Sequence, residues 1–529
     1  MVARIASLAF PVSLGCFVAT EVFAYAMRLD HVLGVPVYRH GIIAVYAPWQ
    51  IAQWAWWWGS ISPVQFLWPG MLGLAAGLWV WTQTQQQKTR KPQARWATLR
   101  ELRHAECLGK TGVVLGIVHG RVLRYHGPGH VFFIGRTRSG KTTQLLSTLL
   151  EYPHSILVND VKSELYALSA GYRATVGRIM RLCPTDSASQ HYNPWEAVRI
   201  GTDAAYRDVE ILSHYLVRTE GARRDSTAIH FQTLATKVLN GVFLYGLTTG
   251  LATCGEDFND LLTLTPWAGL LQSMKEHDHP EVQRAAELAS RPQREELGSL
   301  QTTIANALSI FSDPRVALMT RESHFRLAAL REDDAPCTVY WQVPFSDQVR
   351  LRPLTRLVMH QMLDHCTQRL TGWKHPILVV LEELPSLDHF PLASSGLNYF
   401  AGYQVQLLNL TPSMPELLDH YGRYHNFLVG SHVQCLFGLN DAETAQAFAT
   451  RLGTREVSHR RVSVTQGRRT TSDDIRDEAL LNATGLLQME DDGVLILAGR
   501  HAVCGTQARF YQHRIWRRRS QLSVPTKEA

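Results

Sequence analysis

Gly135-Arg136-Thr137-Arg138-Ser139-Gly140-Lys141-Thr142 (GRTRSGKT) fits G-x-x-x-x-G-K-[ST], the spacing of a phosphate-binding P-loop. Gly135 and Gly140 let backbone N–H groups curl around an anionic phosphate. Lys141 has the reach for the β and γ phosphates, and the Thr142 hydroxyl is a ligand for Mg²⁺. The flanks are those the motif needs. His130–Ile134 (HVFFI) is an apolar run of strand length, and Thr143–Leu150 (TQLLSTLL) has helical spacing, which aims a helix N-terminus at the anion. A glycine-rich turn that matched by accident would lack both. Residues 135–143, Thr143 included, therefore read as a nucleoside-triphosphate site with ATP and Mg²⁺ as ligands.

Hydrolysis needs more than a cradle. It takes an acid in the metal shell and a base that orients water. Ile377–Leu381 (ILVVL) followed by Glu382-Glu383 supplies both: Glu382 on the Mg²⁺ side, Glu383 orienting water, with Lys141 as the third catalytic residue. A buried strand ending in an ordinary acidic turn has the same pattern, and the P-loop upstream favours the catalytic reading. Glu382 is one methylene longer than the Asp usual at this position. Mg²⁺ demands near-octahedral geometry, so slow turnover is an expectation.

At 529 residues the chain has room for two or three domains. With 19% charged and 45% apolar residues, it is neither disordered nor wholly embedded in a bilayer. The net charge of +7 suits nucleic acid or an anionic membrane surface. The eight cysteines are scattered with no C-x-x-C pair, which argues against a zinc site or a disulfide framework and for reduced thiols.

Residues 1–90 read as a membrane anchor. Two apolar runs, 5–27 and 61–81, each approach the ~20 residues that span a bilayer as a helix. Lys88, Arg90, Lys91 and Arg95 after the second run, with Arg4 before the first, place both flanks on the cytoplasmic side. That leaves a short loop on the far side of the membrane and a multi-pass protein with a cytoplasmic body. Ala24-Tyr25-Ala26 also resembles a cleavage site, so a signal peptide stays open for the first run. The tryptophan-rich piece Ile42–Trp58, interrupted by Pro48, reads as an interfacial helix. Glu21 is costly in lipid and is expected to face another helix or subunit.

The fold class expected of the body is α/β. Ser155–Asp160 and Gly177–Leu182 read as strands following the P-loop helix, so residues 91–200 form the first part of a nucleotide-binding domain with a mostly parallel sheet. Residues 201–320 carry helical spacing at Asp208–Leu216, Phe231–Tyr245 and Leu300–Phe311, an all-α insertion. Residues 321–529 complete the nucleotide-binding domain, with strands at 338–343, 377–381, 406–410, 426–429 and 493–498. Ser458–Ser472 reads as a mobile basic loop and Arg514–Arg519 as a basic tail. Both are solvated surface first and nucleic-acid contacts second.

The whole resembles the TraG/TraD-type coupling ATPases of bacterial type IV secretion. Ala94-Arg95-Trp96-Ala97-Thr98 and Gly127-Pro128-Gly129-His130 precede the P-loop as in that family. Asp160-Val161-Lys162-Ser163-Glu164-Leu165-Tyr166 resembles its D-x-K-[GS]-E-L segment, and Tyr192-Asn193-Pro194-Trp195 comes after it. Glu382-Glu383-Leu384-Pro385-Ser386-Leu387 stands where the family has D-E-F/L-x-x-L. Ala401-Gly402-Tyr403, Tyr421-Gly422, and Phe437-Gly438-Leu439-Asn440-Asp441 with Thr444-Ala445 continue the match. The resemblance implies a RecA-like P-loop NTPase that assembles as a hexamer, with nucleotide between subunits and an arginine supplied by a neighbour. Arg352 and Arg356 come into view for that role beside a plain surface ion-pair reading. It implies a bacterial inner-membrane, multi-pass motor with a short periplasmic loop that recruits a relaxase–single-stranded DNA complex, an effector protein or both to the secretion channel. Where the family commonly carries a γ-phosphate-sensing glutamine, this chain has Pro412, which has no side-chain donor or acceptor. Asn409 is its stand-in, or else a buried structural residue. Two rival readings remain: a nucleotide-dependent docking receptor with little hydrolysis, and a chromosome-partitioning double-stranded DNA translocase.

Overall fold

The computed structural model describes residues 2–28, 31–40, 43–58, 71, 75, 93–217, 226–422, 426–465 and 468–524, in two compact units, Met1–Gln93 and Ala94–Ala529. In the first unit the leading apolar run is helical over Val2–Ala26. The stretch expected as one interfacial helix is instead split. The strands β1 (Tyr38–His40) and β2 (Ile43–Val45) pair antiparallel, and a helix begins only at Gln50 and runs to Trp58. Proline lacks the N–H a helix interior needs, and Pro48 marks the break. Within this unit the Glu21 carboxylate accepts the Tyr46 N–H, just after the hairpin, at 2.6 Å. Trp54 is buried beside Phe23 and Tyr46, while Trp49, Trp56 and Trp57 are exposed. Among the described residues no helix is long and apolar enough to cross a membrane. The second expected span, 61–81, lies outside the described residues except for Met71 and Ala75.

The second unit is organised by β3 (Val113–Val118), β4 (Arg121–Tyr125), β5 (His130–Ile134), β6 (Ser155–Asn159), β7 (Arg178–Leu182), β8 (Cys337–Trp341), β9 (Ile377–Leu381), β10 (Val405–Thr411) and β11 (Ser431–Leu436). Next come β12 (Thr454–Thr465), β13 (Arg468–Ala479), β14 (Gly493–Ala498) and β15 (His501–Thr506). All but β12 and β13 join one 11-stranded sheet, in the order β4-β3-β15-β14-β11-β5-β10-β9-β6-β8-β7. The seven strands from β11 to β7 are parallel. The other four add to the β11 edge in antiparallel fashion.

Continuous apolar runs suit strands covered on both faces, and β5, β6, β8, β9 and β10 are buried at every position. Side chains alternate between the two faces. Phe132 and Ile134 enter one core with Val379 and Leu381, while Val131 and Phe133 enter the other with Leu378 and Val380.

Between Trp195 and β8 the chain is helical, through Ala205–Val217, Ser226–Thr249, Gly255–Leu264, Trp267–Lys275, Pro280–Ser290, Arg294–Leu308 and Pro314–Met319. Asn193, just ahead of this segment, is tied to its middle and to its far end. Its Nδ2 donates to the Thr253 and Arg321 carbonyls at 2.9 and 3.1 Å, and its Oδ1 caps the Trp195 N–H. Buried Trp195 then packs against Phe243, Phe258 and Phe311, with ring centroids 5.2–5.6 Å away.

Three sequence expectations change. Residues 426–429 are not a strand: Phe427–Gly430 is a short helix and β11 starts at Ser431. A four-residue apolar run cannot be told apart by periodicity, and contacts decide. Phe427 stacks on Phe132, and the Gln434 amide donates to the Leu428 carbonyl at 2.6 Å. The basic stretch 458–472 is not a loop but most of a β12–β13 ribbon in which twelve residues of each strand pair. Its arginines and hydroxyl residues hid an alternation carried by Val462, Val464 and Ile475. The tail at 514–519 is a helix, Arg514–Ser520. It buries Trp516, whose Nε1 donates to Glu151 at 3.0 Å.

Trp195→Ala removes the aromatic hub of the helical insertion, and core Trp→Ala changes cost about 3–5 kcal/mol. The expected result is a lower urea midpoint, with early proteolysis within residues 205–319.

Candidate functional site

The P-loop leaves the central strand β5 and closes on the helix Lys141–Leu149. Gly140 sits at φ +94°, a left-handed conformation in which only glycine is unstrained. Space is short there as well, since a Cβ on Gly140 would lie 1.9 Å from Gln507 Oε1. Neighbouring segments hold the loop. Gly135 N–H donates to the Thr411 carbonyl and Arg136 N–H to that of Gly438, while the Arg136 guanidinium pairs with Asp491 at 2.9 Å. Lys141 Nζ bends back over the loop and donates to the carbonyls of Gly135 and, at 3.0 Å, Arg136.

The sheet brings the acids to this loop. Asn409 of β10 lies between Phe132 of β5 and Leu381 of β9, so β9 ends two strands from the P-loop strand. Thr142 Oγ1 donates to Glu382 Oε1 at 3.1 Å. Glu382 is buried, and burial, helped by the nearby Asp160 charge, pushes its carboxyl up to about 7. Burial also raises Glu383 and pulls Lys141 down to about 8, against the attraction of Glu383. Thr142, Lys141, Glu382 and Glu383 are thus one electrostatic cluster. Thr137, Arg138, Ser139 and Thr143 belong to the loop and the first turn of its helix.

Several polar atoms here are buried with no hydrogen-bond partner among the described residues: Glu382 Oε2, both amide atoms of Asn409, Asn159 Nδ2 and Ser139 Oγ. Each unmade bond costs about 1–3 kcal/mol. They cluster at the carboxyl ends of parallel strands, where α/β sheets bind ligands. A hydroxyl, a carboxylate and amides of this kind fit an Mg²⁺–nucleotide. Thr142 and Glu382 would hold the metal, and residues 135–143 the phosphates.

Some participants carry no P-loop signal. Asp160 accepts from the N–H groups of Leu165 and Tyr166 and from Gln342 Nε2, which sets Lys162 and Ser163 along a cleft shared with Arg352, Glu383, Glu416 and His420. Their trace in the sequence was the D-V-K-S-E-L segment directly after an apolar run. Arg352 pairs with Asp388 at 3.5 Å, and Asp388 also accepts from His420 Nδ1 at 2.8 Å. Arg356 is buried and donates to the His389 carbonyl at 3.1 Å. Gln507 had no local signal at all. Its amide donates to the carbonyls of Ser139, Asp491 and Gly493 at 2.8–3.3 Å, and Ala508 N–H donates to Gln144 of the P-loop helix.

Fold and site together define an α/β P-loop protein with an all-helical insertion. The chain belongs to the family described as type IV secretory system conjugative DNA transfer, whose profile matches residues 95–528, and is a type IV coupling protein. It is 27% identical to a conjugal transfer protein TraG of Escherichia coli, across 97% of this chain and 92% of that one. It is 24% identical to the protein VirD4 of Agrobacterium fabrum, across 82% and 67% of the two chains. Among solved structures, the plasmid coupling protein TrwB in complex with ADP and Mg²⁺ has the same fold, with a TM-score of 0.60 at 16% identity over 79% of this chain and 94% of that one.

The Glu382 environment sets a pH signature. Its folded value of about 7 lies above the ~4.3 of an unfolded glutamate, so between those values the folded state keeps a proton that the unfolded chain has released. This contribution to stability is complete below the unfolded value and is lost as pH rises through about 7. Without divalent cation, Glu382→Gln should therefore gain stability over wild type between pH 5 and pH 8, by on the order of 3 kcal/mol at most. Melting temperatures at the two pH values check it.

Proposed function

We propose that this coupling protein is an ATP-driven motor that receives a relaxase–single-stranded DNA complex or an effector protein and passes it to the type IV secretion channel. The observation that carries the reading is the 3.1 Å bond between Thr142 and Glu382. It joins the phosphate loop to the acidic end of β9, beside buried polar atoms that lack partners. Lys141 leaves the Gly135 and Arg136 carbonyls to meet the β and γ phosphates. Glu383, whose proton affinity is raised by burial, orients water and accepts its proton. Mg²⁺, when bound, neutralises charge on the phosphates. Asn409 takes the sensing position that Pro412 leaves without a donor.

The same reading includes a RecA-like hexamer with an arginine from the adjoining subunit and an inner-membrane anchor within residues 1–90. Four domains, 1–90, 91–200, 201–320 and 321–529, serve as anchor, first nucleotide part, helical part and second nucleotide part. Support comes from the family membership and from the helix Val2–Ala26 with its apolar sequence. A docking receptor with little hydrolysis is the second reading, favoured by the buried Glu382 at the metal position and by Pro412.

Lys141→Ala is expected to abolish nucleotide binding and substrate transfer while leaving the protein in the membrane fraction. A mating or effector-translocation assay with normal transfer would sink the motor. Glu383→Gln should keep ATP affinity and lower DNA-stimulated phosphate release by roughly 10²-fold or more. Wild-type protein that binds ATP but releases no phosphate with DNA present would leave the docking receptor.

A further inference from the structure

None of the residues placed at the nucleotide site belongs to the β12–β13 ribbon, and the charge along the ribbon's sequence is laid out unevenly. At the root, Asp473, Asp474, Asp477 and Glu478 stand opposite Arg460, His459, Glu456 and Arg455, so acids and bases mix. From Arg461 to Ser472 the chain carries Arg461, Arg468 and Arg469 and no acid.

Register sorts these residues by face. Directly opposed residues of an antiparallel pair share a face, and successive pairs alternate. Arg461↔Ser472, Ser463↔Thr470 and Thr465↔Arg468 therefore lie on one face, while Val462↔Thr471 and Val464↔Arg469 lie on the other. One face of the outer half consists wholly of arginine, serine and threonine positions.

We propose that this arginine–hydroxyl face of the outer β12–β13 ribbon binds the phosphodiester backbone of a nucleic-acid strand. The proposal rests on the chain being a DNA-transfer coupling protein and adds the element that touches the strand. Arginine, serine and threonine are the side chains that contact phosphate and sugar, fixing position without reading bases. Same-face positions recur every ~7 Å along each strand, a row of donors along a polyanion. Residues 454–479 contain no Phe, Tyr or Trp, so the ribbon offers no stacking platform and its contact is electrostatic and sequence-independent. The same lack of Trp, Phe and Leu disfavours a lipid interface. The acids at the root confine the contact to the outer half.

The test is fluorescence anisotropy of labelled oligothymidylate and of duplex DNA against the detergent-solubilised full chain over a range of salt. Arg461→Gln/Arg468→Gln should weaken binding and flatten the log K–log salt slope by about 1.4 for the single strand or about 1.8 for duplex, at ~0.7 and ~0.9 per lost phosphate contact. Arg469→Gln, on the opposite face, should keep the wild-type slope, as should Arg461→Lys/Arg468→Lys. Unchanged affinity for an ATP analogue shows the body intact. An unaltered slope in the double glutamine variant overturns the proposal. So does a loss confined to phosphatidylglycerol vesicles or to a protein partner while DNA binding persists. Wild-type protein that binds no oligonucleotide would sink the DNA-transfer reading itself, whereas equal binding by wild type and variant sinks only the ribbon.

Discussion

Parallel pairing of β5, β10 and β9 is the constraint on which the molecule's chemistry depends. Parallel strands put all their carboxyl ends on one edge of the sheet, so loops far apart in sequence meet there. Residues 142 and 382 are separated by 240 positions, yet their side chains are 3.1 Å apart. A register slip of one residue in β9 would turn the alternating set Ile377, Val379 and Leu381 toward the wrong core and carry Glu382 away from the P-loop. The two apolar layers on either side of the sheet thus set the distance between a hydroxyl and a carboxylate.

That placement is unfavourable for the polar groups themselves. Glu382 keeps one oxygen buried without a partner, Asn409 both amide atoms, and Asn159 and Ser139 one atom each. Buried polar groups are normally satisfied, and orphaned ones in a cluster mark a place shaped for something else. Burial holds Glu382 near neutrality and weakens the charge on Lys141, so the site is electrostatically poised. Gln507, Asp491 and Ala508 hold the P-loop and its helix from the far end of the chain. The Trp516 helix buttresses Glu151 behind them.

The helical insertion and the ribbon are attached differently. Asn193 is hydrogen-bonded to the middle and the far end of the insertion, and Trp195 shares one core with its helices and the sheet. The ribbon forms a two-stranded sheet of its own, and arginine, serine and threonine dominate the sequence of its outer half.

Much of the fold and half of the site were legible in the residues alone. GRTRSGKT combines a backbone requirement at Gly140 with fixed chemistry at Lys141 and Thr142, and both are local. Apolar runs long enough for buried strands, and helical spacing across 205–319, are also local properties. Phe427–Gly430 misled because four apolar residues have no period of their own. The ribbon misled because arginines and hydroxyls masked its alternation. Gln507, Asp491 and the partners of Asp160 left no mark, since a glutamine amide is defined as a clamp only by the carbonyls brought to it. Local residue chemistry was enough to specify a phosphate loop, the helix that continues from it, and the family to which the chain belongs. Folding of the whole sheet was needed to bring Glu382 to Thr142, to set Asn409 between their strands, and to close the segment around Gln507 behind the loop. Such contacts depend on strand order and register, which are settled by burial of the whole sheet and not by any one segment.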